Sequence, residues 1–143
     1  QLWKTKYHEA KILSVLLMDE KEIVTGDIER LMIDVLSWDL CDHLCKNLII
    51  ELADYKEFIY KWCGDNRVYY KRAAYSLIAT AAIHSKDLSI EEIDQFLDMI
   101  KEYSNDGRPH VKKLNKRSVR SEKRKGSYQV NICYFYLINI IRL

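Results

Sequence analysis

The stretch Ser37–Ile49 reads SWDLCDHLCKNLI, and its periodicity decides the fold class. Leu40, Cys41, Leu44, Cys45, Leu48 and Ile49 recur at spacings of three and four, the signature of an amphipathic helix. Trp38 and Asp42 fall outside that stripe. They lie four residues apart, one turn up the same side, along the edge of the apolar face. A helix that sets an indole and a carboxylate side by side at its rim requires a reason.

The same period runs outward from this stretch. Trp3–Met18 carries Tyr7, Ala10, Lys11, Ser14 and Met18 on one line, with Ile12, Leu13, Leu16 and Leu17 close to it. Thr25 or Asp27 can cap a second helix whose face is Ile28, Leu31, Met32 and Val35. A short helix over Tyr55–Trp62 is stopped by Cys63, Gly64 and Asp65. Over 66–84, Tyr69, Tyr70, Ala73, Ala74, Leu77, Ile78 and Ala81 form a stripe whose alanines permit close helix approach. Ser89 followed by Glu92 is a capping box opening a helix to about Tyr103. Gly107 and Pro109 then mark a stop and restart. Four glycines and one proline in 143 residues leave little turn chemistry, so the chain reads as all-α, long helices joined by short turns. Helix pairs with this rhythm suit an α-solenoid, and a compact bundle gives the same pattern.

Charge is unevenly spread. Arg108–Lys125 holds nine Lys and Arg against one Glu, a sum of +8, and the remainder sums to −6. A nucleic-acid footprint read from charge alone rests on that segment. No run reaches the roughly 18 apolar residues of a membrane span, so no membrane partner is expected. The four cysteines, 41, 45, 63 and 133, lack the look of a disulfide framework and suit reduced thiols of a cytoplasmic protein.

Candidate chemistry is sparse. Cys41 and Cys45 bracket His43, but His43 points away from both on a helix and no second ligand pair follows, so core thiols are the expectation. His8 lacks a second histidine one turn on and reads as a polar contact at a helix interface. No phosphate loop, nucleophile elbow, metal set or cofactor motif is present, and no cofactor is expected. Trp62, Tyr69, Tyr70 and Tyr75 read as core aromatics, with base stacking as the alternative. Arg72 stands in the middle of an apolar helix, snorkelling or salt-bridged on the plain reading.

Trp38-Asp39-Leu40-Cys41-Asp42, followed by Lys71-Arg72-Ala73-Ala74 after an aromatic-rich helix start, resembles the AlkD-type DNA alkylation-repair glycosylases. His8-Glu9, and Asp106-Gly107-Arg108 before Val111-Lys112-Lys113, resemble the same family. The resemblance implies a solenoid of HEAT-like antiparallel helix pairs over residues 1–113, acting on double-stranded DNA with bases made cationic by alkylation. It implies Asp42 as the catalytic carboxylate, Trp38 as an aromatic wall and Arg72 as a phosphate contact. It also implies further helices upstream, so the chain reads as N-terminally incomplete. A non-catalytic helical-repeat module binding DNA or protein is the alternative, supported by the −6 charge outside the basic segment; a plain structural bundle would leave the three side chains unrelated.

After Lys113 the family pattern of an apolar-faced helix gives way to LNKRSVRSEKR, which has almost no apolar period, and then to the nearly uncharged YQVNICYFYLINIIRL. A shifted reading of codons that can encode the basic stretch begins Lys-Gln-Ala-Leu-Arg, as the resemblance implies. Residues 114–143 are therefore expected to be an atypical basic, then apolar tail, read out of frame; the alternative is a genuine basic linker followed by a C-terminal apolar helix.

Overall fold

The computed structural model of the chain describes residues 2–84 and 88–103, and the expectations for residues 104–143 lie outside them. Two compact units divide the chain, Gln1–Leu77 and Ile78–Leu143. The helices are α1 (His8–Leu17), α2 (Thr25–Ile33), α3 (Trp38–Asn47), α4 (Tyr55–Cys63), α5 (Val68–His84) and α6 (Ile90–Tyr103). Single 3₁₀ turns occupy Leu2–Lys4, Glu20–Glu22 and Ile49–Glu51. No strand occurs among the described residues, so the all-α expectation holds there.

The α3 stripe is buried throughout: Leu40, Cys41, Leu44, Cys45, Leu48 and Ile49 have almost no solvent exposure. The α-helix stops at Asn47, and the Leu48 N–H still reaches the Leu44 carbonyl before the chain tightens into the 3₁₀ turn. α4 ends at Cys63 beside Gly64, as the sequence indicates. In the second unit, α6 opens on the predicted capping box. The Glu92 N–H donates to Ser89 Oγ at 3.2 Å, and the Ser89 N–H donates to Glu92 Oε2 at 3.0 Å.

Two elements, α1 and α5, differ from their sequence reading, and α2 takes one of the two caps the sequence offered. The helix expected over Trp3–Met18 is broken before His8. The Thr5 N–H and hydroxyl both donate to the Leu2 carbonyl, at 3.1 and 2.8 Å, closing a separate turn. The buried face of α1 is then Ser14 and Val15, while Tyr7, Leu13, Leu16 and Leu17 are exposed. At α2 it is Asp27 that accepts the Val24 N–H, at 3.3 Å; the Thr25 hydroxyl turns away to donate to Asp54 at 2.6 Å. α5 is not striped. Within the first unit Tyr70, Lys71, Ala73, Ala74, Tyr75, Ser76 and Leu77 are all buried, so over these residues the helix is enclosed on nearly every side. Its alanines bring its backbone within reach of thiols on α3: Cys41 Sγ lies 3.4 Å from the Tyr69 carbonyl and Cys45 Sγ 3.7 Å from that of Ala73.

These two contacts also fix direction and register. Positions 41 and 45 meet 69 and 73, so α3 and α5 run in the same sense, offset by 28 residues. α2 and α4 do likewise: Thr25 meets Asp54, and Glu29 accepts from Lys61 at 2.7 Å and from the Trp62 indole at 3.2 Å. Trp3 bonds Asp34, and His8 bonds Asp39, each across 31 residues. Every second helix of the first unit is thus tied to its predecessor at a spacing of about one helix pair.

Candidate functional site

Trp38 is the first residue of α3 and is 46% exposed. Asp42 follows one turn later, and its carboxylate is enclosed. The register of α3 on α5 sets Arg72 level with it, between the Cys41–Tyr69 and Cys45–Ala73 contacts. Arg72 Nε donates to Asp42 Oδ1 at 3.0 Å and Nη2 to Oδ2 at 2.8 Å, a bidentate fork. The pair is shielded, with side-chain exposures of 17% for Arg72 and 8% for Asp42. The Arg72 guanidinium carbon also lies 5.6 Å from the centre of the Trp38 ring, within cation–π range. The three residues singled out in the sequence therefore meet, on two helices separated in sequence by α4.

One detail departs from the sequence reading and one agrees with it. A rim position left Asp42 facing outward, yet α5 covers that edge of α3 and Arg72 closes over the carboxylate. Arg72 itself is salt-bridged, as the plain reading had it.

A second polar pair borders this cluster. His8, at the start of α1, places Nε2 2.6 Å from Asp39 Oδ2, while Asp39 Oδ1 accepts the Leu40 N–H at 2.9 Å. Partial burial alone would raise the Asp39 carboxyl. It is held at about 2 because the adjacent Ser37 hydroxyl, His8 and the Leu40 N–H favour the anion. An ionised carboxylate only accepts, so His8 carries its proton on Nε2. The polar interface expected of His8 is present. Its partner was not legible in the sequence, because 31 residues and a helix pair separate them.

The remaining candidates are structural. Cys41, Cys45 and Cys63 are buried thiols, and burial pushes the Cys45 thiol up, away from nucleophilic use. His43 Nδ1 lies 3.3 Å from the Asn47 amide. Trp62, Tyr70 and Tyr75 are buried; Trp62 packs tilted on Phe58 and edge-on to Tyr70, and the Arg67 guanidinium lies 3.4 Å from the centre of the Tyr70 ring. Tyr69 donates its hydroxyl to the Leu36 carbonyl at 2.8 Å. Among the described residues no three His, Cys, Asp or Glu side chains are grouped to hold a metal ion, and no helix is long and apolar enough to cross a membrane.

The class these features define is an all-helical protein carrying an indole, a carboxylate and a guanidinium on neighbouring helices. Residues 1–113 match the family model described as DNA alkylation repair enzyme, and the chain belongs to that family, which acts in DNA repair on a DNA substrate. The match ends at Lys113, where the apolar period of the sequence also breaks. No curated protein and no solved structure matches the chain.

Proposed function

We propose that this protein is a cytoplasmic DNA glycosylase that excises purines carrying a cationic N3- or N7-alkyl group from double-stranded DNA, on a HEAT-like helical repeat spanning 1–113. The observation that carries the reading is the convergence of Trp38, Asp42 and Arg72. The architecture is supported by the recurring offset of about 30 residues between alternate helices of the first unit.

The chemistry suits such a cluster. An alkylated purinium is already a good leaving group; when the bond from C1′ breaks, its electron pair neutralises the base and positive charge develops on the deoxyribose. Water then adds to C1′ and loses its proton to solvent. A fixed carboxylate shielded from water stabilises that sugar charge most effectively, which is the role of Asp42. The Trp38 face adds cation–π attraction of about 0.5–2 kcal/mol. Arg72 binds a backbone phosphate and fixes the register.

The test is single-turnover release of 7-methylguanine from duplex DNA beside a binding titration. Asp42→Asn should slow release about a hundred- to thousand-fold, the loss typical of one transition-state electrostatic partner, with little change in affinity. An unchanged rate in that variant would remove Asp42 from the mechanism. The competing reading is a non-catalytic DNA- or protein-binding module. It is favoured by the saturation of both Asp42 oxygens by Arg72 and by the −6 charge outside the basic segment. DNA binding without any release of methylguanine would decide for it.

A further inference from the structure

We infer that His8 is a positioning residue for the excision site, acting through Asp39 on Trp38. This rests on the glycosylase reading and extends it to a helix that contributes none of the three converging side chains.

The geometry is that of a two-ended clamp. Asp39 divides its carboxylate: Oδ1 takes the Leu40 N–H within the first turn of α3, and Oδ2 takes His8 Nε2 from α1. One side chain thus pins the opening turn of α3 both to itself and to a neighbouring helix. Trp38 is the first residue of that turn and precedes Asp39 directly. At about 100° per residue, Asp42 falls between Trp38 and Asp39 around the helix, so the clamp lies on the flank of the carboxylate away from the indole. Trp38 needs such support. Its indole is half exposed, with the Arg72 guanidinium near its ring. Ser37, which precedes it, makes no side-chain capping bond. Helix starts fray when their first N–H groups lack partners, and a wall that must face a lesion to within about an ångström cannot fray.

His8 and Asp39 are themselves only partly exposed, at 39% and 34%. The charged group facing His8 from α3 is Asp39. The preceding turn contributes Lys4, and α1 itself carries Glu9 and Lys11, the last of which sits over the Trp3 ring at 5.3 Å. Among these, Asp39 makes the direct bond.

The experiment uses the full chain and a duplex oligonucleotide carrying 7-methylguanine. His8→Leu keeps bulk and removes the donor; His8→Gln restores an N–H at the reach of Nε2. Excision at saturating protein should fall about ten- to a hundred-fold in His8→Leu, the loss typical of a small misplacement. Its dissociation constant for the duplex should change little, and His8→Gln should recover most of the rate. The cycle with Trp38→Ala separates positioning from general weakening. If His8 acts through Trp38, adding His8→Leu to Trp38→Ala costs nothing further. Additive losses, equal failure of the Leu and Gln variants, or a His8→Leu variant as fast as the unaltered chain would each overturn the inference while leaving Asp42 in place. Absence of excision by the unaltered chain would overturn both this and the glycosylase reading.

Discussion

At the scale of single residues, the Asp42–Arg72 fork sets the energetics of the site. Both charges are largely withdrawn from water, so deleting one strands the other. Arg72→Ala is expected to lower unfolding stability by about 3 kcal/mol, measurable by urea denaturation, because the Asp42 carboxylate is left enclosed without its partner. The same variant should bind duplex DNA less tightly, with a salt slope shallower by roughly one phosphate contact in a two-salt titration. Asp39 gives a pH signature of opposite origin. Its carboxyl is held at about 2 in the folded chain against an ordinary 3.8, so folding is favoured by the charged form. That contribution is fully present above 3.8 and is lost as pH falls from there through about 2. The stability difference between the unaltered chain and Asp39→Asn, followed by denaturant unfolding from about pH 5 downward, should therefore shrink across this window.

Among the elements, α5 and α6 illustrate two different sources of stability. α5 is enclosed by small residues where it meets α3, and Ala73 has no exposed surface. Ala73→Leu should destabilise by about 1–3 kcal/mol, since extra methylenes must displace a backbone that already meets the Cys45 thiol. Thermal unfolding followed by circular dichroism would show it, and the shift in register should also reduce any excision by moving Arg72 relative to Asp42. α6 depends instead on its first turn. Ser89→Ala removes the acceptor for the Glu92 N–H and should cost about 1 kcal/mol. That change should leave the site on α3 and α5 unaltered, and a matching fall of excision in Ser89→Ala would contradict the assignment of the chemistry to the first unit.

For the whole molecule, the charge asymmetry is the controlling feature. The basic segment Arg108–Lys125 carries +8 while the remainder carries −6, so in a native reading frame general affinity for duplex DNA should reside in that segment. Neutralising its nine basic residues should weaken binding to undamaged duplex and flatten its salt dependence, the logarithmic slope dropping by about 0.9 for each phosphate no longer neutralised. We propose that residues 114–143 arise from a shift of reading frame near Lys113, where the family match ends. Sequencing the encoding DNA through that codon tests it directly. If the frame is continuous and unshifted there, the basic segment is native to the protein and the salt titration reports a genuine DNA contact.

The sequence by itself determined the local structure, the family and the identity of the converging residues. Apolar spacing of three and four placed α3 to within a residue or two, and the stop at Gly64 bounded α4, because both are properties of the local chain that survive whatever packs against it. The Ser89–Glu92 box was legible for the same reason: its partners are three residues apart. Where local signals competed, the sequence was ambiguous. A threonine hydroxyl split the first helix, and α5 gave a stripe on paper although it is enclosed on nearly every side. Tertiary structure alone decided what each rim side chain touches. Asp42 could cap, pair or face solvent until the 28-residue register of α3 on α5 brought Arg72 onto it. His8 could bond any acceptor until α1 settled against Asp39. Such contacts depend on how helices some 30 residues apart pack together, and no short-range pattern in the chain encodes that offset.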